Sequence, residues 1–239
     1  MKTLLYILVT VSVLVTIVAC TRAPEPIITE VVVLKDITEA QSTNSDAQGI
    51  FSLFDFSGDN KWNGGVFHYS DLSDVSYNRF SEVKINPAGM WLSNEFEREK
   101  EIKNFRTEVS KILEEGGKSS KGKSNSSVYL PITHELNEVG KSKANRRVVL
   151  IYSDLMENTA DISFYSKKQF LLLTKNPDSI QKKFEQMQVL QNLNGVEVNF
   201  IYQPIDSKSD KVFTIVSTFF KQLLEAKGAK VNISANINL

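Results

Sequence analysis

The chain has 239 residues, 41% hydrophobic and 23% charged, with 28 basic side chains balanced by 28 acidic ones. This composition excludes collagen-like, low-complexity and wholly disordered classes, and the lack of a basic excess argues against a dedicated duplex nucleic-acid binder. One cysteine and two histidines exclude an intrachain disulfide, a cysteine-rich zinc site and a histidine-rich metal cage.

Lys2 precedes an almost unbroken apolar run, Leu4 to Ala19, which closes in Ile17-Val18-Ala19-Cys20. A basic start, an apolar centre and a small residue before a cleavage point describe an export signal. The run of about 16 residues is shorter than the roughly 18 to 20 that span a bilayer comfortably. Its last four residues resemble the bacterial lipobox. That resemblance implies lipidation of Cys20, which becomes the mature N-terminus; an uncleaved anchor or a buried cysteine are the alternatives. Residues 1–19 are then a lipoprotein signal peptide. Residues 20–30 form the lipidated N-terminus and a tether, where Pro24 and Pro26 favour extended backbone. Thr21 stands where enterobacterial sorting places the aspartate of inner-membrane retention, so the resemblance implies an outer-membrane address in the bacterial envelope.

Along the mature chain, Glu30–Asp36 is a β-branched run of the buried-strand type. The segment from Ile37 to Phe56 permits a helix, and Ser57–Gly65 is dense in turn residues. Val66–Ser70 and Arg79–Ile85 alternate like two strands of a hairpin joined by Asp71–Asn78. Ser93–Glu115 reads as a helix with Phe96, Ile102, Phe105, Val109, Ile112 and Leu113 on one stripe, ended by Gly116-Gly117. A basic Gly/Lys/Ser loop follows, then a short helix over Leu130–Val139 with Pro131 in its first turn. Arg147–Asp154 and Gly195–Tyr202 are further strands. Phe164–Lys175 fits helix or strand, Pro177–Leu193 and Lys211–Ala226 fit helices, and Lys230–Ile237 fits a last strand. Apolar strands alternating with helices predict an α/β fold: a mainly parallel central sheet, helices on both faces and a β-hairpin edge, in one domain over residues 31–239.

Two strong strands end in aspartate, Asp36 and Asp154, and ligands of open α/β sheets gather outside the carboxyl ends of strands. Hard cations take such oxygen ligands together with hydroxyls and water. Strand-end aspartates also cap turns and helices with no ligand at all. Asp36-Ile-Thr38-Glu-Ala40 resembles a worn Asp-x-Ser-x-Ser motif of von Willebrand factor A domains. Ser126 stands at the threonine position of that family's second motif. Tyr152-Ser-Asp154-Leu resembles the third, with Leu155 in place of the usual glycine. The element order agrees over residues 31–239. The resemblance implies a three-layer, Rossmann-like fold and a metal-ion-dependent adhesion site in which Asp36, Thr38, Ser126 and Asp154 hold Mg2+ or Mn2+. Ala40 supplies no oxygen where the family has a second hydroxyl, so water would have to fill more of the coordination shell.

Gly117-Lys-Ser-Ser-Lys-Gly122-Lys123-Ser124 matches the phosphate-binding loop pattern by letter. That motif needs a buried strand before it and a helix directly after, and neither is present; no nucleotide is expected. His68 and His134 have no nucleophile partner in the sequence. Trp62 and Trp91 read as packing residues. Asn232-Ile-Ser234 is a glycosylation sequon without meaning on a bacterial lipoprotein.

Three readings stay open. One is a lipid-anchored protein that binds another protein at the sheet rim through a divalent cation. Another is a metal-free scaffold or assembly lipoprotein, and the third is a hydrolase built on the strand-end carboxylates. Membrane contact through the lipid and an unidentified protein partner are expected; nucleic acid is not. Replacing Cys20 by serine is expected to leave unprocessed precursor and abolish lipid labelling, and processing that proceeds as in the wild type would refute the lipobox reading.

Overall fold

The computed structural model describes residues 25–37, 45–72, 80–89, 94–116 and 126–237. Six strands, β1 (Ile28–Asp36), β2 (Gly64–Leu72), β3 (Phe80–Ile85), β4 (Arg146–Tyr152), β5 (Val196–Ile201) and β6 (Lys230–Ser234), form one sheet in the order β3-β2-β1-β4-β5-β6. All neighbours are parallel except β2 and β3, which pair antiparallel as the predicted hairpin edge. The helices are α1 (Ala47–Ser52), α2 (Glu95–Glu115), α3 (Tyr129–Lys141), α4 (Lys167–Lys175), α5 (Pro177–Met187) and α6 (Ser207–Glu225). Among the described residues no helix is long and apolar enough to cross a membrane.

Strand period sorts the apolar residues into two cores. Val32 and Leu34 of β1 face one side with Val149 and Ile151 of β4, where α3, α5 and α6 contribute Ile132, Phe184 and Phe220. Val31 and Val33 face the other side with Val148 and Leu150, against Ile50 of α1 and Ile102, Phe105 and Val109 of α2. Each such fully buried side chain contributes about 1.5–3 kcal/mol. Helices on both faces explain why the central strands read as continuous apolar runs rather than alternating ones.

Several elements depart from their predicted bounds, each for a local reason. Helix α1 covers only Ala47–Ser52, held by Asp46 accepting from the Gln48 amide. Phe96 leaves the predicted stripe and is 76% exposed. It lies in the first turn of α2, which begins after its cap Asn94. Arg98 is buried there instead, donating to the carbonyls of Lys61, Asn63 and Asn86. The ambiguous segment before α5 is helical over Lys167–Lys175. Helix α5 ends at Met187 rather than Leu193, because the Asn137 side chain donates to Val189 O and accepts from Gln191 N. Helix α6 begins four residues earlier than its apolar stripe, on a capping box of Asp206 and Ser209. The last strand ends at Ser234.

Candidate rim site at the carboxyl ends of β1 and β4

The chain leaves β1 toward β2 and β3, then returns to β4 on the other side of β1. The strand order therefore reverses between β1 and β4. In open α/β sheets the crevice outside such a reversal is where ligands bind. Asp36 ends β1 and is 1% exposed; Asp154 follows β4 by two residues and is 8% exposed. With Lys35 paired to Tyr152 in the parallel register, both aspartates come to the same rim. Ser126 joins them through a short antiparallel bridge to Asn158, with hydrogen bonds of 3.1 and 2.8 Å. Asp36 and Asp154 thus close neighbouring strands at one rim, and Ser126 is tied to the loop that follows Asp154. Thr38 and Ala40 lie outside the described residues, as does Cys20.

The segment Ser153–Asn158 organises this rim. Ser153 Oγ donates to Asp36 Oδ2 at 3.0 Å and accepts from the Leu155 amide at 2.9 Å, which couples the end of β1 to the turn after β4. Asp154 Oδ1 accepts from the Met156 amide at 2.8 Å. Leu155, fully buried, takes φ +62°, a left-handed conformation that costs a side-chain-bearing residue roughly 1–3 kcal/mol. Its side chain joins the core beneath α3, which offsets that cost.

Glu157 was not singled out by sequence, nor was Ser153. Glu157 is 0% exposed, and its Oε2 accepts from the amides of Val128 and Tyr129 at 2.9 and 2.7 Å. Helix α3 has an apolar residue, Val128, at its cap and no cap bond from that side chain, so a distant carboxylate does the capping. An apolar N-cap and an acid set among Leu155 and Met156 were the available signals. Burial pushes the Glu157 carboxyl up to about 7; the two amides oppose this and the Asp36 charge adds to it. Among the described residues its second oxygen, Oε1, is buried without a hydrogen-bond partner, and so is Oγ of Ser127, the residue after Ser126.

Other buried polar groups lie on the same sheet. On the α2 side, Lys35 is held below the usual lysine range by burial, which the Asp71 charge opposes, and Tyr69 donates to Asp71 at 2.8 Å. On the α3 side, His68 lies 3.1 Å from Glu30 and 3.5 Å from Glu82. Burial acts to raise the Glu30 carboxyl, but hydrogen bonds from His68 and Ser142 and the charges of His68 and Arg147 hold it below the ordinary value. The two carboxylates meet opposite ring nitrogens, Glu30 at Nε2 and Glu82 at Nδ1. His134 is exposed on α3. Trp62 is buried as packing, and Trp91 lies outside the described residues. Among the described residues no group of three or more His, Cys, Asp or Glu side chains is arranged to hold a metal ion. Any cation at the rim would rest on two carboxylates, completed by hydroxyls and water.

No family model and no curated protein matches the chain.

The Glu157 carboxyl gives a test of the rim's electrostatics. A folded value near 7 against an ordinary 4.5 means that the folded state binds the proton more tightly than the unfolded chain. Stability is then greatest below about pH 4.5 for this group, falls as pH rises to about 7, and levels above, a loss of up to about 3 kcal/mol. Denaturant titrations with chelator present should show that fall in the wild type and a flattened profile in Glu157→Gln. The same slope in both proteins would remove Glu157 as its source.

Proposed function

We propose that this chain is a lipid-anchored bacterial envelope protein that holds a partner protein at the rim formed by β1 and β4, through a divalent cation. The observation that carries the reading is the placement of Asp36 and Asp154 at the carboxyl ends of neighbouring strands, where the strand order reverses. The donor set is chemically suited to Mg2+ or Mn2+: two carboxylates and the serines at 126, 127 and 153, of which Ser127 has a buried hydroxyl with no hydrogen-bond partner among the described residues. Asp36, Asp154 and Ser126 would hold the ion together with Thr38, and water would fill the place that Ala40 leaves. The ion would offer the partner an electrophilic contact for an acidic side chain.

Two features favour the likeness to von Willebrand factor A domains. Leu155, which stands where the family usually has glycine, is at φ +62°, a conformation that glycine takes without penalty. The sheet carries its antiparallel strand at the edge, next to β2, where the hairpin was expected. Anchoring through Cys20 would keep the rim near the envelope, with the tether ending at residue 27 and not 30, because Ile28–Glu30 already pair in the sheet as the start of β1. No nucleophile paired with a base accompanies the rim carboxylates among the described residues, so a binding role fits better than hydrolysis.

The metal-free scaffold is the second reading, and one observation favours it. Asp36 and Asp154 already accept internal hydrogen bonds, from Ser153 and from the Met156 amide. Thermal melting separates the two readings. A metal at ten times its Kd adds about 1.4 kcal/mol, which raises the melting temperature by about 3–6 °C in a domain of this size. Millimolar Mg2+ or Mn2+ should produce that rise in the wild type and not in Asp36→Asn. An unchanged melting temperature in the wild type discards the cation and leaves the scaffold.

A further inference from the structure

We propose that the outer edge of β3 is a docking site for an extended, basic segment of a partner protein, which adds to the sheet as a further strand. This surface is independent of the rim. Among the described residues, strand β3 ends the sheet and pairs only with β2. Its ladder runs without a bulge from Gly65↔Ile85 to Ser70↔Phe80, and no proline interrupts Phe80–Ile85. The backbone N–H and C=O groups that face away from β2 are therefore aligned as a template. Edge strands are commonly blunted by bulges, prolines or charges aimed outward. Here the two charged residues, Glu82 and Lys84, pair with each other at 2.8 Å. Their side chains alternate with Val83 and Ile85, which face the α2 core.

Beside this edge runs a groove of about 440 Å3 between β3 and α2. Val83, Ile85 and Phe105 give it apolar surface, and Glu101, Asn104 and Glu108 line it from the helix. Glu101 is shared with Arg98 at 2.9 Å. Among the described residues Glu108 has no ion-pair or hydrogen-bond partner, and the charge of Lys84 is met by Glu82. The charge left over in the groove is negative. An added strand would pair its main chain with β3, and alternate side chains would enter the groove. Apolar side chains there would cover Val83 and Phe105, and a lysine or arginine would meet Glu108. A second copy of the chain fits less well, because two-fold pairing of β3 with itself would bring a second set of the same carboxylates, with each Lys84 already met by its own Glu82.

Fluorescence anisotropy of a labelled, end-blocked peptide of alternating valine and lysine, titrated with the full chain in non-ionic detergent, reads this docking. Saturable binding is expected. It should weaken about tenfold when glutamate replaces the peptide's lysines, and about as much in a Glu108→Lys protein that keeps the wild-type melting temperature. Of two peptides N-methylated at odd or at even positions, one should lose binding about tenfold and the other retain it, because strand addition uses the amides of alternate residues. Equal binding by the two N-methylated peptides overturns the proposal, as does undiminished binding by Glu108→Lys. A dimer of the protein that the peptide competes apart would overturn it too, since the occupant would then be a second copy.

Discussion

The hydrogen bond from Ser153 Oγ to Asp36 Oδ2 joins the two strands between which the chain reverses its direction of travel across the sheet. The same short segment then supplies Asp154 to the rim, Leu155 to the core and Glu157 to the first turn of α3. Beyond it, Asn158 bridges to Ser126 and fixes where α3 begins. One turn after β4 therefore sets the position of a strand end, a helix start and the buried polar groups between them. The strained backbone of Leu155 is part of this arrangement.

Burying so much polarity has a cost that the fold meets unevenly. Asp36 and Asp154 are compensated by internal donors, and Glu157 is compensated at one oxygen only. A buried carboxylate with one orphan oxygen is expected to be expensive, and the raised value of Glu157 is the electrostatic form of that expense. Lys35 and Asp71 oppose each other on the far face of the sheet, and Tyr69 donates to the same carboxylate. Polar groups of this kind at strand ends are hard to justify by stability alone. Asp36, Asp154 and Glu157 lie at the reversal of strand order between β1 and β4, the place where ligands of open α/β sheets have access to several chain segments at once.

The architecture was legible because it rests on period and burial. Runs such as Val31–Leu34 and Val148–Ile151 announce doubly covered strands, and the stripe of α2 announces one of the helices that cover them. Bounds were less legible where side chains compete with the local pattern. Asn137 ends the extended tail of α5 from a helix fifty residues away, and the burial of Arg98 replaces the expected burial of Phe96. At the rim, Asp36 and Asp154 could be read from their places at strand ends. Glu157 could not, because its role depends on the distant amides of Val128 and Tyr129. A sequence displays a missing cap at Val128, but not the residue that replaces it.

The proposed rim and the anchor address different needs. A lipid at Cys20 would restrict the domain to a surface, where even a modest rim affinity gains from high local concentration. The cation is the part of this account on which recognition depends. Anomalous diffraction from crystals grown with manganese tests it most directly. The account predicts a peak about 2.0–2.6 Å from carboxylate oxygens of both Asp36 and Asp154. An ordered rim with no peak between those two aspartates would contradict it.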